Sequence, residues 1–154
     1  MKAFYYLLVF FKSWEFIFLI VSFAIYMVFG NLFEKKFLAV SINEDALKWA
    51  MLFPISICGW TLKEGVGVIF PSDTTAKILH EWPDYWRLKV HFDVGIFNCI
   101  IFILPCMVVW FSGILNKFDG VWLFLTFAIA ASINAFSFYN AKINIRSALI
   151  KDNE

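Results

Sequence analysis

The sequence predicts an all-α protein that crosses a membrane several times. Of its 154 residues, 62% are hydrophobic and 16% charged, too little polar material to coat a water-soluble globule of this size. The charges are also unevenly placed: none falls in 16–33, 94–116 or 120–141. Such runs approach or exceed the roughly 20 apolar residues that cross a hydrocarbon core as a helix. A shorter apolar run at 49–62 brings the count to four spans, or leaves it at three if that run lies in the interface. The expected architecture is a polytopic helical membrane protein, a single membrane domain over 1–154, with spans at 16–33, 46–64, 94–115 and 121–141. A short amphipathic connector, 65–93, joins the second and third.

Lys2 and the apolar stretch 3–11 have the charge and hydropathy of a signal peptide, but no small-x-small cleavage site follows, so retention is expected. One helix over 3–33 would be about 46 Å long, against a hydrocarbon core of about 30 Å. Lys12 and Glu15 mark where it should break, leaving 3–11 as an interfacial or tilted lead-in. Three residues apart, they can meet on one helix face. They would act there as an intramembrane ion pair, or as two side chains snorkelling to the headgroups beside Trp14. After Glu34, Lys35 and Lys36, Asn43 is placed to cap a helix whose positive dipole end meets Glu44 and Asp45. Pro54 is expected to kink that second span, and Gly65 and Gly67 to end it.

In the connector, Ser72, Asp73 and Thr74 cap a short polar helix that runs to about Glu81, and Pro83 breaks it. Trp82, Tyr85 and Trp86 then form an aromatic belt, with Arg87 and Lys89 as cationic anchors for the third span. That span carries Asn98 and Pro105. Residues 116–120 suffice only for a turn, so the last two spans form an antiparallel hairpin. The fourth span holds small residues at four-residue spacing, Ala128 with Ser132 and Ala131 with Ala135, which allow another helix to approach closely. Asn134 lies beside them and can hydrogen-bond across to a neighbour such as Asn98. The stripe suits packing within the chain or between copies, so a homo-oligomer is one expected assembly.

Basic residues near span ends set the orientation. With four spans, Lys2, Lys12, Lys63, Lys77, Arg87, Lys89, Lys142, Arg146 and Lys151 are cytoplasmic and Lys35, Lys36, Lys48 and Lys117 are outside, nine against four. The three-span arrangement gives ten against three. Both put the connector and the carboxyl end in the cytoplasm.

The chemistry-bearing residues point away from catalysis. There is no phosphate-cradling glycine loop, nucleophile elbow, paired zinc histidines or dinucleotide fingerprint, so no catalytic residue, metal ligand or cofactor is expected. Cys58, Cys99 and Cys106 sit in apolar runs and read as packing residues. His80 and His91 are separated by Pro83. Glu81, Asp84 and Asp93 read as caps or as partners of Arg87 and Lys89. The 13 basic and 12 acidic residues nearly cancel, which excludes a broad nucleic-acid surface.

In size and organisation the whole chain resembles the small inner-membrane proteins by which prophages and plasmids protect their host, the superinfection-exclusion proteins and the immunity proteins of pore-forming bacteriocins. Lysine outnumbers arginine 11 to 2, a bias toward AT-rich coding DNA of the kind such elements carry. The resemblance rests on no motif and assigns no residue role. It implies a non-enzymatic protein of the bacterial inner membrane, in contact with the lipid bilayer, that binds or blocks a protein partner in the membrane or envelope. Trp82, Tyr85, Trp86 and Arg87 are the candidate contacts, because aromatic and arginine side chains dominate interface energetics. The alternative is an oligomeric channel or a small subunit of a transport complex, with Asn98, Pro105 and Asn134 lining a path.

Overall fold

The computed structural model describes residues 2–37, 49–69 and 85–151. Among them there is no strand. Five α-helices follow in order: α1 (Lys2–Phe11), α2 (Trp14–Phe37), α3 (Leu52–Ile69), α4 (Tyr85–Phe111) and α5 (Phe118–Lys151), with a 3-10 turn at Ile114–Asn116. Three helices are long and apolar enough to cross a membrane: α2, α4 and Phe118–Ile145 of α5. The protein is thus an all-helical membrane protein. α3 is about 27 Å long, slightly less than a hydrocarbon core.

The break after α1 falls where the charges place it: Lys12 and Ser13 leave the helix, and the Ser13 hydroxyl caps α2 by accepting the Phe16 N–H at 3.2 Å. Other boundaries differ from expectation. α4 begins at Tyr85, nine residues before the apolar run, and ends at Phe111, so 85–93 is helix and 112–117 makes the turn. Gly65 and Gly67 do not end α3, which continues to Ile69. Gly65 instead allows close approach, since a side chain there would press on the Phe92 ring at 2.9 Å. Ala50 and Met51 form a turn, so no continuous helix fills 46–64. Pro54 then sits in the first turn of α3, where its missing N–H costs nothing. The cap at Asn43 and the polar helix at 72–81 lie outside the described residues.

α5 is the axis of the molecule and packs against α2, α3 and α4, while α1 lies on α4. α2 and α4 run antiparallel to α5, and α3 runs parallel to it. At one end, Tyr26 stacks on Phe118 at 6.2 Å and donates to Asp119 at 2.8 Å, and Phe33 stacks on Trp122. Met51, Cys106, Val109, Leu115, Phe124 and Ala128 fill the space between helices there. Gly120 has to be glycine in this turn, because a Cβ would overlap the Ile114 carbonyl. At midheight, Phe102, Ala130 and Ala131 are buried among Phe18, Leu19 and Ile57.

The other end gathers α1, the start of α2, the end of α3, the start of α4 and the far half of α5. Val9, Val90 and Val94 pack α1 onto α4. Glu64 and Lys142 pair at 2.5 Å, joining α3 to α5. Phe92 meets Phe138 edge to face at 5.8 Å, and Phe138 covers Gly95 so closely that a Cβ would overlap its ring.

Candidate functional site

The polar end encloses a cavity of roughly 740 Å³ between α1, α2, α4 and α5. Its position follows from the helix break. Turning the chain at Lys12 and Ser13 lays α1 on α4 and leaves a gap beside the first turn of α2. Leu8, Val9, Leu88, Phe92 and Phe138 supply apolar wall, and Lys12, Glu15, His91, Asn98, Asn134 and Ser137 supply polar groups. Mostly apolar concavities with a few convergent polar groups are the usual form of small-ligand sites.

Glu15 is only 4% exposed and accepts the Ser137 hydroxyl at 3.2 Å. Its expected meeting with Lys12 does not occur. Lys12 falls in the break, so the two do not share a helix face, and among the described residues no cation lies within ion-pair distance of Glu15. A buried carboxylate held by one neutral hydroxyl is an expensive group to keep.

The two asparagines are both 2% exposed but are not bonded to each other. Asn134 donates its Nδ2 to the Gly95 carbonyl at 2.9 Å, reaching a backbone group that Gly95 leaves open. Asn98 Oδ1 is buried without a hydrogen-bond partner. Since nearly all buried polar atoms in native proteins are paired, this orphan is unusual. One turn deeper, Phe102 and Ala131 are buried, so the cavity is blind toward the middle of the bundle. Pro105 does not line it.

Above the cavity, Tyr5 reaches the His91 ring at 3.3 Å and Tyr6 donates to Asp93 at 2.8 Å. Asp93 therefore serves α1 and not Arg87 or Lys89, and as acceptor of the phenol proton it pushes the Tyr6 pKa above the ordinary tyrosine value. Trp86 is 37% exposed, with the Arg87 guanidinium 5.5 Å above its ring and Tyr5 packed 5.1 Å from it. Tyr85 begins α4 and is partly buried; Trp82 lies outside the described residues. Ala128, Ala131 and Ala135 are buried inside this one chain, and Ser132 spends its hydroxyl on the Ala128 carbonyl at 2.9 Å. Among the described residues no three metal-ligating side chains come together.

Sequence reasoning missed the cavity itself, the inward turn of Glu15 and the Glu64 to Lys142 pair. A carboxylate placed directly after a helix break beside an apolar run was the available signal for the first two. Set against known protein families, curated proteins and solved structures, the chain matches none.

Proposed function

We propose that this is a four-span, non-enzymatic protein of a bacterial inner membrane that acts by docking on and blocking another membrane or envelope component, in the manner of superinfection-exclusion or bacteriocin-immunity proteins. In this reading α3 is the fourth span, 70–84 belongs to a cytoplasmic connector, and the carboxyl end is cytoplasmic. The antiparallel run of α3 against α4 and the excess of basic residues on that side support it. A reporter active only in the periplasm, fused after Glu154, is expected to be silent; strong activity would reverse the orientation.

The observation that carries the docking role is the aromatic and cationic pair at the start of α4. Trp86 packs against Tyr5 and carries the Arg87 guanidinium over its ring, contacts that would preorganise it for a partner. Preorganised tryptophan and arginine are the side chains that most often concentrate binding energy. Cells expressing the protein alone should resist one phage or one pore-forming bacteriocin. The Trp86→Ala, Arg87→Ala double variant should insert and accumulate normally yet lose that protection. Full protection at normal protein level would mean that the pair only anchors α4 to the lipid.

A channel or transport subunit is a second reading, in which Asn98 and Asn134, both lining the cavity, would belong to a path that opens past Phe102 and Ala131. Reconstituted protein should then pass a steady current that Asn98→Ala alters. Protection without conductance favours docking.

A further inference from the structure

We infer that the cavity at the polar end is a receptor for a zwitterion that carries a primary ammonium beside a phosphate, as in a phosphoethanolamine head. Two buried groups in its wall each lack what an ammonium supplies. Glu15 carries a carboxylate that no cation of the described residues neutralises, and Asn98 Oδ1 is a buried acceptor without a donor. Asn134 does not serve Asn98: its Nδ2 donates to the Gly95 carbonyl, and none of its N–H groups reaches Asn98 Oδ1. A primary ammonium brings one positive charge and three N–H donors, enough for both. A trimethylated ammonium brings the charge but no donor, and would leave Asn98 unpaired.

Lys12 gives the pocket its second pole. It also lines the cavity, beyond ion-pair distance of Glu15, and it is exposed. Opposite charges held apart in one cavity lining match a ligand whose own charges are held apart in the reverse order. The remaining wall is largely apolar, and roughly 740 Å³ accommodates such a head with the first carbons of its chains. The same head occurs on a membrane phospholipid and as free phosphoethanolamine, and the test separates the two.

The full chain, purified in detergent, would be titrated with phosphatidylethanolamine and with phosphatidylcholine of matched acyl chains, with bound lipid counted by native mass spectrometry. The ethanolamine lipid should bind at least about tenfold more tightly, the scale set by an unmade charge-assisted hydrogen bond. Glu15→Gln and Asn98→Ala should each erase most of that preference while circular dichroism stays helical. Equal binding of the two lipids by the unsubstituted protein overturns the inference whether or not the variants fold. So does a preference that survives both substitutions. Displacement of the lipid by millimolar free phosphoethanolamine would identify the soluble compound as a sufficient ligand; failure to displace it, with the lipid preference intact, assigns the site to the lipid.

Discussion

At the aromatic end of the bundle, Cys106, Val109, Phe124 and Ala128 close the space between helices with nearly no polar atom to satisfy. At the opposite end the bundle buries Glu15, Asn98 and Asn134 around a cavity, and Glu64 beside Lys142. Both ends are built largely from α4 and α5, so the contrast is one of side-chain chemistry and not of architecture. The aromatic end holds together by close packing, which is sensitive to volume. The polar end holds together by matched partners, which is sensitive to the loss of either one. Where a partner is missing, stability has been conceded locally, a common mark of a functional site.

The largest effect should come from overfilling the packed end. Ala128→Leu places three extra carbons at a position with no exposed surface, against Met51, Cys106 and Val109, and should lower stability by about 3 kcal/mol in detergent unfolding. Phe136→Leu, on an outer position that is 57% exposed, is the control and should cost at most about 0.5 kcal/mol. Similar losses at both sites would erase the distinction between packed interface and outer face.

Next comes the ion pair. Lys142→Met strands a carboxylate that is 7% exposed, and with some relief from solvent at the helix end it should cost about 2 kcal/mol. Adding Glu64→Gln should recover more than half of that loss. A double variant as unstable as the single one would show that packing, not charge, joins α3 to α5.

The asparagines sharpen the contrast because their expected signs are opposite. Asn134→Leu removes the buried side-chain hydrogen bond to the Gly95 carbonyl, which keeps its partner within α4, and should destabilise by about 1 kcal/mol. Asn98→Leu removes an orphan carbonyl while keeping the number of side-chain heavy atoms, with the cavity beside it to take the larger methyl groups, and should be neutral or stabilise by up to about 1 kcal/mol. A loss at Asn98 as large as at Asn134 would mean that the orphan has a partner in the folded protein. The smallest change should be Tyr26→Phe, which removes one exposed hydrogen bond to Asp119 and should cost about 0.5 kcal/mol.

Patterns written along a single helix were legible in the sequence. The break after Phe11 announces itself through Lys12, and the buried alanines of α5 through their four-residue spacing. What was not legible depends on which helices meet. Gly65 reads as a terminator because glycine is a poor helix former, yet the rings of Phe92 and Phe138 need its bare surface, and packing overrides propensity. Asn134 finds a backbone carbonyl rather than Asn98 because Gly95 brings the two helices together there. Lys142 and Glu64 are 78 residues apart and carry no local sign of pairing. The start of α4 was misplaced because hydropathy reports apolar length, whereas a helix continues through amphipathic residues such as 85–93. Phe124, with 6% exposure, belongs to the packed interior, although nothing in the phenylalanine-rich run distinguishes it from its exposed neighbours.

The seat of α1 on α4 also sets an order of events during synthesis. Tyr5 and its partner His91 are 86 residues apart. At about 5–20 residues per second, a ribosome needs roughly 4 to 17 seconds to make the chain between them. For that interval α1 exists while the surface formed by Val90 and Val94 does not. The cavity is therefore an assembly product of the second half of the chain, and until α4 arrives Glu15 has neither its wall nor Ser137. A nascent chain stalled before residue 90 should present α1 to the membrane surface, to chaperones and to proteases as a separate segment. Completing the hairpin of α4 and α5 is what withdraws it.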